Sequence, residues 1–461
     1  MKLLKFILLS GVSLLVVTTH GCRRTSNLSD LHARQSPDWI REAVLYEISP
    51  RAFSTEGTFQ GMSEHLRDLR NLGVTVLVVE PIHPVGELNR QGVMGNLYSV
   101  RDYYEVNEDF GTLEDFKALV TQAHADTLRV LLDLVAGYTS WDSQLLMEHP
   151  EWFRKNDEGS IISPKPDWVD VAALNYEQHE LRKYMINMMK YWIRETRIDG
   201  FRCPDADLVP VDFWEIARNE LESIKPVCMI TESPSPLLHL NAFDISCSWG
   251  FFDTIDSLGH TLQAASDLDS AILDESRSYP KGSLFARFDD ERRKNSQSGP
   301  VRVRLGENAS RVALVLAFTI PGVPLIFMGE GEGNTEGLSL HEKSEIVRGG
   351  RNSNRALLSM LCRWRSERPS LRRGEFNRLA NSAGGTIFSF MRSTGSDRVL
   401  VIANLSKDAQ EFSLVLPTGL PADFHDVDSQ EHLSLNQNPW RFKLEGFGYK
   451  ILASNDGRTQ Q

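Results

Sequence analysis

Beyond about residue 39, short apolar runs rich in β-branched residues recur, and each is followed by residues spaced like one face of an amphipathic helix. Eight such runs stand out: "VLYEI" (44–48), "VTVLVVE" (74–80), "RVLLDLV" (129–135), "RIDGFRC" (197–203), "VCMITE" (227–232), "FDISC" (243–247), "SLFARF" (283–288) and "VPLIFMG" (323–329). Strand candidates alternating with helices predict a parallel sheet, and over this length an α/β fold in which the sheet closes into a (β/α)8 TIM barrel, residues 39–373. Two stretches break the alternation. Residues 136–178 hold Trp141, Trp152, Trp168 and several prolines without a long helical period, which predicts a small excursion domain after the third strand. From 374 to 461 the helical spacing stops, and "GTIFSFMR", "DRVLVIANLS", "EFSLVLP", "EHLSLN" and "WRFKLEGFGYKIL" alternate with turn residues, as expected of a C-terminal antiparallel β-sandwich.

The first 22 residues follow a different pattern. Lys2 and Lys5 precede an apolar run from Phe6 to Val17 that is short for a bilayer span but is built like an export signal. Gly21 followed by Cys22 predicts cleavage before Cys22 and lipidation of its sulfur, giving a membrane-anchored lipoprotein of a bacterial envelope that touches the membrane only through its lipid. Thr19 and His20 suit that cleavage less well, and the alternative is an ordinary cleaved signal and a periplasmic or secreted protein. Residues 23–38, polar and aperiodic, are expected to tether anchor to body.

Composition narrows the possible partners. A formal charge of -12 and the absence of a long basic run disfavour nucleic acid, while 41% hydrophobic residues can supply a sizeable core. Apart from Cys22, the cysteines are Cys203, Cys228, Cys247 and Cys362; none has metal-ligand spacing, and buried thiols are expected rather than a disulfide framework.

In a barrel of this kind the loops at the C-terminal strand ends converge on one mouth. Those ends carry Asp133, Arg202 with Pro204 and Asp205, Glu232, and Asp289 with Asp290. Each carboxylate could merely cap a helix, but together with an arginine they suggest acid/base chemistry on a neutral polyhydroxyl substrate. Tyr46, Tyr98, Tyr103, Tyr138 and the three excursion tryptophans could offer rings for the apolar faces of sugars, whereas Trp192 and Trp214 sit inside helical patterns and are expected in the core.

These residues resemble the α-amylase family of retaining glycoside hydrolases, over about residues 39–452. "YEISPRAFS", "LGVTVLVVEPIHP", "GNLYSVRDYYEVNEDFGTLEDFKALV", "VLLDLVAGYTS", "GFRCPDADLVP", "ITES", "FARFDDE" and "PGVPLIFMGEG" are similar to the family's segments in the same order. The resemblance implies Arg202 as the arginine beside the nucleophile, Glu232 as acid/base and Asp290 as stabiliser of the distorted sugar, with Tyr98, Asp133, Tyr138 and Asp289 contacting substrate. The nucleophile position itself holds Pro204. Asp205 could replace it only if a bulge at Pro204 turned the side chain back, because period-two alternation aims it away from the face of Arg202.

Further departures surround the same subsite. Gly137 and Tyr138 stand where the family has asparagine and histidine, Phe288 and Asp289 where it again has asparagine and histidine, and Ala173 where an aspartate is expected, while Glu80 adds a carboxylate. No cofactor is implied, and calcium, which the asparagine at Gly137 would have helped hold, is not supported; no metal is expected. The expected partner is an α-glucan oligosaccharide or polysaccharide, bound with hydrolysis impaired or lost. Alternatives are an active hydrolase or transglycosylase using Asp205 with Glu232, and a non-carbohydrate interaction scaffold.

Overall fold

The computed structural model describes residues 27–261, 263–349, 354–420, 423–434 and 438–454. The expected export signal 1–22, with Cys22, lies outside them. The eight apolar runs form eight parallel strands: β1 (Leu45–Ile48), β2 (Val76–Val79), β3 (Arg129–Asp133), β4 (Gly200–Cys203), β5 (Cys228–Thr231), β6 (Ile245–Cys247), β7 (Leu284–Arg287) and β8 (Val323–Ile326). They close in sequential order, β8 pairing with β1, as a (β/α)8 barrel.

Strand parity divides the side chains between two cores. Leu45, Val76, Val78, Leu131, Cys228, Ile230, Ile245, Leu284, Ala286, Val323 and Leu325 fill the barrel interior, while Tyr46, Ile48, Leu77, Val79, Val130, Leu132, Phe201, Met229 and Ile326 join the larger core under the helices. Gly200 opens β4 at φ +146°, and a Cβ there would come within 1.9 Å of the Cys228 carbonyl oxygen, so β4 approaches β5 more closely than any side chain permits. Helices start from local signals where the chain supplies them. Leu113–Ala125 opens with a capping box in which Asp115 N–H donates to the Thr112 hydroxyl at 3.2 Å and Thr112 N–H donates to the Asp115 carboxylate at 2.8 Å. Trp192 and Trp214, on helices His179–Thr196 and Val211–Glu222, are fully buried. Among the described residues no helix is long and apolar enough to cross a membrane.

After β3 the chain makes its excursion, tied down by a short hairpin in which Tyr138–Ser140 pairs with Val171–Ala173. Beyond the barrel come β9 (Glu375–Arg378), β10 (Ile387–Thr394), β11 (Asp397–Asn404), β12 (Gln410–Leu414), β13 (Asp423–Asp426), β14 (His432–Ser434), β15 (Trp440–Leu444) and β16 (Tyr449–Ser454). Six form an antiparallel sheet in the order β9-β10-β11-β16-β13-β14, and β12 pairs with β15. Phe412, Leu414, Phe442 and Leu444 of that pair pack on Ile387, Leu400, Ile402 and Leu452 of the large sheet. Its other face, with Phe388, Phe390, Val399 and Val401, joins the barrel core. β9 and β13 were not among the expected strands: β9 alternates exposed and half-buried positions, and β13 ("DFHD") has one large apolar residue.

The expected tether needs a correction. From Leu28 onward the segment lies on the barrel: His32 bridges to Lys281, Ala33 N–H donates to Lys281 O at 2.9 Å, Arg34 pairs with Asp244 and Glu222, and Ser36 Oγ donates to Asp244 at 2.6 Å. Its polarity reflects anchoring to carboxylates rather than freedom in solvent.

Candidate active site

The parity that packs the barrel interior also assembles a charged layer at its C-terminal mouth. Two residues beyond Leu45, Val78, Leu131, Gly200, Ile230 and Ala286, the inward positions fall on Glu47, Glu80, Asp133, Arg202, Glu232 and Phe288. Arg202, 2% exposed, lies at the centre. Its Nε and Nη2 donate to Asp133 at 2.7 and 2.6 Å, and its Nη1 and Nη2 donate to Glu47 at 2.6 and 2.9 Å. Two carboxylates therefore grip one guanidinium in bidentate fashion, and Tyr98 Oη donates to Asp133 at 2.6 Å. Burial works against the cation, yet Asp133 and Glu47 outweigh it and hold the Arg202 pKa well above its ordinary value. Asp133 was expected to contact substrate; instead it is fully buried beneath Arg202 and outside the cleft lining.

Glu232 stands at the edge of this layer with its side chain 26% exposed, and its carboxylate is 3.5 Å from Arg202 Nη1. Trp249 Nε1 donates to its carbonyl oxygen at 2.6 Å and pins the backbone. Burial, opposed by Arg202, raises the Glu232 pKa to about 7, so near neutrality much of the population can donate a proton. It lines a cleft of about 270 Å³ together with Arg202, Pro204, Asp205, Tyr98, Tyr138, Trp168, Trp249 and Asp290.

Pro204 occupies the next inward position after Arg202 and carries no carboxyl. Asp205 does reach the cleft, but by a route other than a bulge that returns it to Arg202: it adopts left-handed backbone angles, φ 47° and ψ 36°. Its carboxylate accepts from Tyr138 Oη and Lys165 Nζ, each at 3.4 Å, and Lys165 also lies 4.1 Å over the Trp168 ring. Burial raises its pKa against the pull of Lys165. Asp205 therefore belongs to the excursion wall of the cleft, and Arg202 is held by other carboxylates.

The two aspartates after β7 separate by parity. Asp290 points inward, and its oxygens accept from Asn295 Nδ2 at 2.7 Å, Arg304 Nη1 at 2.8 Å, Val301 N–H at 3.0 Å and Glu291 N–H at 3.0 Å. Four donors leave it little capacity for a sugar hydroxyl. Asp289, expected to contact substrate, lies outside the cleft lining; burial raises its pKa and that of the neighbouring Glu330 carboxyl. Sequence reading also missed Arg292, whose Nε lies 3.1 Å from Glu80 and whose guanidinium sits 3.9 Å over the Tyr98 ring. Burial, offset by Arg292, lifts the Glu80 pKa to about 7.

Of the aromatic candidates, Tyr98, Tyr138 and Trp168 line the cleft, joined by Trp249 and Phe288. Tyr46 and Tyr103 are core residues, with Tyr103 Oη donating to the Val135 and Tyr138 carbonyls at 2.8 and 2.7 Å. Trp152 stacks on His149, and Trp141 donates to Val169 O at 2.9 Å, both away from the cleft lining. A Cβ at Gly137 would stand 2.9 Å from Leu208 Cβ, so an asparagine there would require Leu208 to shift. Glu47 was missed as well, although a charge inside an apolar strand could have signalled it, and Arg292 stood out only as one of several cations following β7.

Comparison with known proteins agrees with this architecture. The alpha amylase catalytic-domain family matches residues 32–169. A cyclomaltodextrinase from Geobacillus thermopakistaniensis is 25% identical over 430 residues, covering 82% of this chain and 71% of that protein. A maltogenic alpha-amylase from Bacillus acidopullulyticus is 24% identical, covering 91% of this chain and 78% of that protein. The crystal structure of a noncanonic maltogenic alpha-amylase from Thermotoga neapolitana superposes with a TM-score of 0.82 at 27% identity, over 90% of this chain and 99% of that one. With the barrel, its ordered segments and Glu232 at the mouth, these matches support an α-amylase family glycoside hydrolase fold for the chain.

Proposed function

We propose that the cleft binds an α-glucan and hydrolyses it slowly or not at all. The observation that carries this reading is Pro204 in the inward position beyond Arg202, with the Arg202 fork already gripped by Glu47 and Asp133. A retaining mechanism needs an ionised carboxylate about 5 Å from the protonated one, across the scissile bond. Glu232 supplies the protonated partner, and a proline ring stands where the ionised one belongs. Arg292 on the Tyr98 ring covers a face on which a sugar would otherwise lie, and the four donors on Asp290 leave it little capacity for a sugar hydroxyl. Trp168, Trp249 and Tyr138 keep the outer cleft suited to glucan rings, and the named activities of the relatives support an α-glucan as the ligand class.

Purified protein titrated calorimetrically with maltooligosaccharides is expected to give saturable heat that weakens at least about tenfold in Trp168→Ala. Reducing sugar should not accumulate above a Glu232→Gln control. Absence of heat would sink the glucan reading and favour an interaction scaffold. The second reading, an active hydrolase, is favoured by one observation: Asp205 and Glu232 line the same cleft. Hydrolysis abolished equally by Asp205→Asn and Glu232→Gln would establish it and overturn the first.

We also propose export and anchoring through lipid on Cys22. The supporting pattern is the charged, then apolar, then Gly21-Cys22 order of the N-terminus. Cys22→Ser is expected to move the protein out of the membrane fraction, and an unchanged distribution would refute the anchor.

A further inference from the structure

A second cavity, of about 410 Å³, lies at the opposite end of the barrel from Glu232, where residues 280–284 lead into β7, Pro321 and Gly322 lead into β8, and Gly374 precedes β9. Its charge is opposite to that of the protein as a whole. The chain carries -12, yet the cations lining this cavity are Arg41, Lys281, Arg287, Arg372, Arg373 and Arg392, against Glu275 as the one acid.

Pairing leaves much of that charge unbalanced. Glu275 accepts from Arg287 Nη1 and Nη2 at 2.8 and 2.6 Å and is fully engaged there. Glu42 lies 3.5 Å from Arg372 and 2.7 Å from Arg373, and Asp38 lies 3.3 Å from Arg373. Arg41, Lys281 and Arg392 have no carboxylate partner among the described residues. Arg392 is the most informative, because it is 2% exposed. Its Nη groups donate only to the carbonyls of Thr319 and Gly374, at 2.8 and 3.1 Å, and its Nε has no partner at all. Arg372 Nε is likewise buried without a partner. Behind them Arg365, also buried, is held only by the carbonyls of Ala43, Leu371, Arg41 and Gly322. Burial together with repulsion from Arg392 and Arg372 lowers the Arg365 pKa to about 9, and burial together with Arg287 lowers that of Arg392 to about 10.

A buried cation without a counter-charge is costly, and protein interiors ordinarily pair such groups. Here the buried Arg392 lacks a carboxylate, as do the half-buried Arg41 and the exposed Lys281 at the rim of a cavity large enough for a small ligand, and two buried Nε–H groups beside it lack an acceptor. Several guanidinium forks around one space match a tetrahedral dianion with oxygens on every side better than they match a single carboxylate. We propose that this basal cavity binds a phosphate group, free or as a phosphomonoester, with Arg41, Lys281 and Arg392 supplying the unbalanced charge.

The full chain should be titrated with inorganic phosphate at constant ionic strength, with chloride as the balancing anion, and both heat and melting temperature recorded. A saturable heat and a rising melting temperature are expected, weakened at least about tenfold in Arg41→Gln/Lys281→Gln, while maltooligosaccharide binding by that variant stays as in the wild type. Both substitutions lie at the rim of the cavity, so the fold should tolerate them. No response to phosphate beyond that to chloride, or an equal response in the double variant, would overturn the site. Vesicles distinguish the source: retention on phosphatidic acid but not phosphatidylcholine, displaced by phosphate, identifies a lipid headgroup. Saturable phosphate binding without such retention identifies a soluble ester.

Discussion

Arg202 is held at four points by two carboxylates with almost no solvent around it, and the stability of that arrangement depends on its being complete. Removing one partner leaves charge buried and half-compensated. Asp133→Ala is accordingly expected to destabilise the fold by about 3–5 kcal/mol in urea denaturation, because it strips the side-on pair and also orphans Tyr98 Oη. A loss below about 1 kcal/mol would show that water or Glu232 takes over. At this scale the sequence was partly legible. Arg202, Glu232 and Asp290 fall where strand parity puts them, and Asp289 could have been assigned outward by the same parity that turns Phe288 inward. Asp205 could not, since a left-handed residue after a proline escapes the period-two rule. Arg292 reaches Glu80 and Tyr98 from a helix start, a long-range contact that no local pattern announces.

The strand that carries Arg202 is positioned by its first residue. Gly200 lets β4 press against Cys228 of β5, and the register Arg202 opposite Ile230 and Cys203 opposite Thr231 follows from that contact. Gly200→Ala is expected to cost about 2–4 kcal/mol, from a strained φ combined with a clash against backbone, measured as a lowered urea midpoint at unchanged slope. A neutral substitution would mean that the two strands can part. Elements with strong apolar periodicity were readable, which is why all eight barrel strands lie within the expected runs. β9 and β13 were not, because they owe their strand conformation to neighbours in the sheet rather than to their own composition.

Across the whole molecule the buried acids give stability a definite dependence on pH. Glu80 and Glu232 titrate at about 7 in the folded protein against an ordinary 4.5, and Asp289 at about 6 against 3.8, burial being the main cause in each. Between those limits the folded state binds more protons than the unfolded one. Their contribution is therefore fully present at low pH and lost as pH rises through 6 to 7. Asp199 acts in the other direction: hydrogen bonds from His124 and the Val130 N–H, with Lys225, overcome its burial and hold it at about 2, so its contribution fades only below about pH 4. For these groups maximum stability is expected near pH 4, where the loss of Asp199 below that pH meets the decline that the raised carboxyls impose above it, and Glu80→Gln should flatten the decline toward pH 7.5 by roughly 1–3 kcal/mol in paired urea melts. A profile that keeps rising to pH 8 would contradict the assignment of these groups. The barrel and the C-terminal sheets were legible because their periodicities repeat many times, whereas the docking of residues 28–36 was not, because its information lies in Asp244 and Glu222, about 200 residues away.

The double grip on Arg202 also limits what a single substitution at position 204 can supply. Here Glu47 and Asp133 already satisfy the guanidinium, so an aspartate restored at position 204 would arrive as a third anion beside one cation, deprived of the field that should keep it ionised. Neutralising Glu47 would give that aspartate more of the field, but it leaves a half-paired buried arginine and a less stable chain.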